Sequence, residues 1–145
     1  MSIRIIPAIF IFTVAFVVQA VAAPVVRSGE WETSIDGGPK HLVCEKSDHT
    51  FDQASLAKAM ALSGAKCAPG DYHDTGTVVT YKTVCEIGGG KMTSGSIITA
   101  TGPDSYTTRS TSHMDGGQYK IPDMDMTQTA RRLGPCKPGD KPSMN

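Results

Sequence analysis

Apolar residues fall along this chain in two regimes. Between Ile5 and Val18 they form a long run behind Arg4, followed by the small-x-small sequence Ala20-Val21-Ala22. Beyond Pro24 the runs shorten and mix with Thr and Ser. They are cut at near-regular intervals by Asp36-Gly37-Gly38-Pro39, Gly88-Gly89-Gly90, Gly102-Pro103-Asp104, Asp115-Gly116-Gly117 and Gly134-Pro135. Runs rich in β-branched and aromatic residues, bounded by Gly and Pro clusters, predict strands. They cover residues 29–35, 40–45, 77–85, 96–101 and 106–111, and successive hairpins join them into a meander. The alternation is shallow, so each strand has one wet face and one only moderately apolar. A single segment departs from this rhythm. Asp52 to Leu62 holds good helix formers, with Asp52 placed as N-cap and Gly64 just past the end. Leu56, Met60 and Phe51 then share a face, which lays the helix against an open edge or mouth of the sheet.

The fold these elements predict is all-β. An antiparallel meander of about seven or eight strands forms a small barrel or half-barrel with one short helix, and a β-sandwich is the alternative. The first regime reads as a Sec signal peptide over residues 1–22, cleaved near Ala22, because the apolar run is shorter than the ~20 residues a spanning helix needs and Pro7 interrupts its start. The expected organisation is therefore a leader at 1–22, a single β domain at 23–136, and a disordered tail at 137–145 that lacks any apolar pattern. The protein is expected in the periplasm or outside the cell, with no membrane span in the mature chain. Without Arg4, 13 basic side chains face 14 acidic ones, a formal net charge of −1. No basic field is available for nucleic acid.

Four cysteines, Cys44, Cys67, Cys85 and Cys136, all lie beyond the leader. An even count in a small exported domain predicts two disulfides. Zinc is the rival, but spacings of 23, 18 and 51 residues without a C-x-x-C pair do not resemble a zinc ribbon. Four cysteines allow three pairings. Local topology favours Cys44 with Cys67, tying the two ends of the helical excursion, and Cys85 with Cys136, holding the last strand to the meander.

Gly29-x-Trp31-Glu32 near the mature start, the Val84-Cys85 strand end, the Gly-rich turns and the closing Arg131-Arg132-Leu133-Gly134-x-Cys136 together resemble an uncharacterised family of small exported proteins of Gram-negative bacteria, a domain of unknown function. The resemblance covers nearly the whole mature chain and implies fold and compartment but no activity. Members of that family often carry a Met- and Pro-rich insertion where this chain has only Asp36 to Pro39. Gly-x-Trp is also similar to the first strand of lipocalin- and avidin-type barrels, in which the Trp plugs one end and an Arg of the last strand crosses the indole. That likeness implies structural roles for Gly29, Trp31 and either Arg131 or Arg132. The plainer alternative makes Trp31 a large core residue on a strand.

Candidate chemistry is sparse. No G-x-S-x-G elbow is present, and pairing accounts for the cysteines, so the chain reads as a non-enzyme without a cofactor. His41, His49, His73 and His113 lie near acidic residues and read as solvated side chains. Glu30 and Glu32 share a strand face, with nothing to place them in a cleft. His113-Met114 and Met124-Asp125-Met126 are different in kind, because thioethers and imidazole suit a soft ion such as copper(I) or silver(I). Met114, Met124 and Met126, with His113 as fourth ligand, form the candidate metal set, and a flexible apolar stripe is its structural counterpart. Pro122 and Asp123 mark this segment as an edge or bulge. The leading function is a small exported binding protein for an apolar or amphipathic small ligand. The alternatives are a structural or protein-interaction module of the envelope, and soft-metal binding.

Overall fold

The computed structural model describes residues 24–62, 65–68, 70–118 and 121–140. The leader expected at 1–22 and the helix-stop Gly64 lie outside the described residues. Strands dominate: β1 Val25–Val26, β2 Gly29–Ile35, β3 His41–Glu45, β4 His49–Thr50, β5 Lys66–Cys67, β6 Asp71–Asp74, β7 Val78–Ile87, β8 Gly90–Gly102, β9 Ser105–Gly116 and β10 Met124–Gly134. The helix α1, Gln53–Leu62, follows β4. Asp52 caps it as its side chain accepts from the Ser55 N–H at 2.8 Å, and the capping bonds from Thr50 and Ser55 hold the Asp52 carboxyl below its ordinary pKa. Of the described helix side chains only Leu56 is half-buried and the others are exposed, and α1 touches the edge strand β5. It therefore sits at the rim, along the open edge at β5.

β7 to β10 form the expected meander, and every pairing in the main sheet is antiparallel. The spatial order is β3-β2-β10-β9-β8-β7-β5, with β6 also on β7. The first hairpin thus joins the last strand. β10 is an interior strand, not the edge that Pro122 suggested, because Pro122 lies two residues before the first ladder residue and removes no sheet hydrogen bond. The connection from β2 to β3 begins with a tight turn in which Asp36 and Gly37 have φ of 49° and 69°, a left-handed pair that Asp-Gly tolerates, closed by the Gly38 N–H donating to the Ile35 carbonyl at 2.8 Å. Asp36 also locks this hairpin to β10, accepting from the Thr127 N–H and donating to the Thr127 carbonyl, both at 2.7 Å. The sheet is open, with β3 at one edge and β5 and β6 at the other, so it is a half-barrel or sandwich-like sheet and not a closed barrel.

This order overturns the expected disulfides. Cys44 is bonded to Cys136 and Cys67 to Cys85. β3 lies beside β2, which lies beside β10, so the chain leaving Gly134 reaches Cys44 over β2. Cys67 stands directly opposite Cys85 because residues 66–74 fold back along β7. The return of the chain also buries Glu30, 1% exposed, whose carboxylate meets Lys137 Nζ at 2.9 Å. Residues 137–140, assigned by composition to a tail, form a turn that carries this ion pair. Glu30 raises the Lys137 pKa through the hydrogen bond.

Alternation sorts the sheet into two faces. The inner face bears Trp31, Val79, Tyr81, Thr83, Cys85, Ile98 and Ala130, all buried. The short β1–β4 ladder packs over one end of it, where Val26, Trp31 and Ala130 meet Val43, Phe51 and Tyr106. The outer face bears mostly Thr, Lys and other polar side chains.

Candidate functional site

The Trp31 end is built from the motif residues themselves. Trp31 is 2% exposed, and its indole N–H donates to the Arg27 carbonyl at 2.8 Å. Arg132 stands directly opposite it on β10 and donates from Nε to the Ser28 carbonyl at 2.9 Å. Gly29 makes room for this crossing. Its φ of 137° disfavours any side chain, and a methyl there would run into the Gly134 carbonyl and the Arg132 guanidinium. Of the two arginines it is Arg132, not Arg131, that stands opposite Trp31 in the ladder. Arg131 faces outward, 3.5 Å from Glu32, whose pKa is lowered by the Lys40 hydrogen bond and less by Arg131. Tyr106 stacks obliquely on Trp31 with ring centroids 5.5 Å apart, and Phe51 meets Tyr106 edge-on at 5.1 Å. Burial, with a smaller contribution from Glu45, pushes the Tyr106 hydroxyl up to about 12. Tyr106 and Phe51 were not foreseen as parts of the plug. The signal for Tyr106 was an aromatic residue alone among threonines.

Away from the plug the inner face turns polar. Successive cross-strand rows read Tyr81-Ser96-Ser110-Met126, Thr83-Ser94-Ser112-Met124 and Cys67-Cys85-Met92-Met114. Ser96 and Ser110 are 3.4 Å apart through their hydroxyls. Met114, Met124 and Met126 thus share one face, as the metal set required, and Met92 joins them. His113 does not. It lies on the opposite face, 2.6 Å from Asp123 through Nδ1, because adjacent strand residues point to opposite sides.

Three depressions lined by described residues open on the outer face. One of about 490 Å³ is lined by Asp71, His73, Thr80, Lys82, Gly95, Ile97, Arg109 and Thr111 among others. It adjoins another of about 480 Å³ that shares Lys82, Gly95 and Thr111 and continues to Thr93, His113 and Asp123. The trough exists because Gly95, in mid-strand, sets no side chain between Lys82 and Thr111, its two cross-strand neighbours. A third, of about 430 Å³, lies beside Glu32, Lys40 and Arg131, which are already joined in ion pairs.

Charge along the trough is mostly paired. Arg109 grips Asp125 with two hydrogen bonds of 3.0 and 2.6 Å, raising its own pKa and lowering that of the carboxylate. His113 holds Asp123. Lys82, exposed at the centre, makes no ion pair with any described residue, not even with Asp71 across the ladder. Beside it Ile97 is 47% and Val84 40% exposed. An unpaired ammonium, a row of hydroxyls and an exposed apolar strip can hold a molecule with one polar and one apolar end. Among the described residues no group of three His, Cys, Asp or Glu could hold a metal ion.

Residues 26–136 match the family described as a protein of unknown function, DUF3617. The chain belongs to the DUF3617 family. No curated protein and no solved structure matches it. The region that defines the family ends at Cys136 and contains the Gly29, Trp31 and Arg132 plug, both disulfides and the outer trough.

Proposed function

We propose that this DUF3617 chain is an exported binding module that takes a small amphipathic molecule in the outer-face trough around Gly95, its polar group on Lys82 and its apolar part along Ile97. Two disulfides support a destination in an oxidising compartment, and no helix among the described residues is long and apolar enough to cross a membrane. The observation that carries the binding reading is the unpaired Lys82 beside a gap that a mid-strand glycine leaves open. A glycine inside a strand weakens it and often marks a place where a ligand or another backbone approaches closely.

Native mass spectrometry of the protein purified from its own compartment tests this reading. Wild type should carry a small-molecule adduct that a Gly95→Val variant, with a strand-forming side chain filling the trough, and a Lys82→Ala variant both lose while keeping the wild-type circular dichroism. Adduct-free wild type in every preparation, or an adduct retained by both variants, would refute it. A second reading, an interaction module of the envelope, draws on the unpaired outer edge of β3 and on Leu42, 50% exposed there.

A further inference from the structure

The inner face away from the Trp31 plug carries four thioethers at one end. Met92 on β8 and Met114 on β9 are directly opposed in the ladder, Met124 on β10 is opposite Ser112, one step diagonal from Met114, and Met126 follows two residues on. Opposed Cβ atoms lie about 4.5–5.5 Å apart and diagonal ones within about 8 Å, spans that flexible methionine side chains can close onto a single point. These residues do not behave as core. Met92, Met114 and Met126 are half-buried and Met124 is 42% exposed. The next row offers them the hydroxyls of Ser94 and Ser112, not apolar partners. Their charged neighbours in sequence, Lys91, His113, Asp115 and Asp125, alternate onto the opposite face, and all four cysteines are held in disulfides.

We propose that this end of the inner face binds a soft monovalent cation, copper(I) or its redox-inert stand-in silver(I), through the sulfurs of Met92, Met114 and Met124, with Met126 completing the set. A neutral all-thioether patch disfavours hard or divalent ions, which need charged or imidazole ligands, and favours a polarisable cation of low charge. His113, on the other side of the sheet, takes no part. The site lies on the face opposite Lys82 and Gly95, and of its methionines only Met124 also borders the depression that continues to His113 and Asp123.

Silver(I) titration of the mature protein in chloride-free buffer tests it. A Met92→Leu, Met114→Leu double variant should weaken silver binding by at least the ~10–100-fold that loss of even outer-shell partners costs a metal site, and His113→Ala should leave it unchanged. Methyl-labelled methionine spectra of wild type give a readout that does not depend on variant folding. On adding silver, the signals of Met92, Met114, Met124 and Met126 should move together. Equal binding by the double variant and wild type, or shifts spread equally over all the methionines, would overturn the site.

Discussion

Replacing Trp31 with alanine should remove about 3–5 kcal/mol of stability in urea denaturation, the range for truncating a fully buried aromatic side chain. A single domain of this size has roughly 5–15 kcal/mol in total. The change removes the floor on which Tyr106 and Phe51 rest and leaves the Arg27 carbonyl without its indole donor. Trp31→Phe should cost less, because it keeps most of the contact area and forfeits the hydrogen bond. A Trp31→Ala midpoint within about 1 kcal/mol of wild type, the size of an ordinary substitution, would mean that the plug does not hold the two ends of the chain together.

The two disulfides should differ in worth. Cys44 and Cys136 are 92 residues apart and Cys67 and Cys85 only 18. In the chain-entropy model these loops correspond to about 4.6 and about 3.2 kcal/mol. A Cys44→Ser, Cys136→Ser variant should therefore be the less stable of the two double variants in urea. It also frees the turn that carries Lys137, which leaves the Glu30 carboxylate buried by the sheet without its ammonium. The reverse order of stabilities would contradict the bridge between β3 and the end of β10. Non-reducing peptide maps should show Cys44 with Cys136 and Cys67 with Cys85, and a Cys44 to Cys67 peptide would contradict both bridges.

How far the sequence could be read followed the range of the interactions. Strand runs, their Gly-rich turns and the Asp52 cap are local, and each predicted run falls on an observed strand. However, β8 begins at Gly90 and β9 runs on to Gly116, beyond the runs expected at 96–101 and 106–111, and β10 has no run of its own in the pattern. The pairing of β2 with β10 is not local. Trp31 opposes Arg132 across a hundred residues, and nothing near either residue announces the partner except the likeness of Gly-x-Trp to barrel plugs. The disulfide error followed directly, since neighbourhood along the chain had stood in for neighbourhood in the sheet. His113 shows the opposite case. Strand alternation alone places it on the face opposite Met114, while its soft-ion chemistry groups it with the methionines. The outer trough had a signal too, a glycine in the middle of a strand, but its depth depends on Lys82 and Thr111 flanking it from two other strands.

Chemical-shift mapping with sodium octanoate as a generic amphipathic anion tests the central claim most directly, because it locates binding without knowledge of the natural ligand. The expected result is movement of the backbone amides of Lys82, Gly95, Ile97 and Thr111 on the outer face, with the Trp31 indole N–H, held to the Arg27 carbonyl inside the plug, unmoved. Shifts centred on the Trp31 indole and Tyr106, or no localised shifts at saturating octanoate, would contradict it.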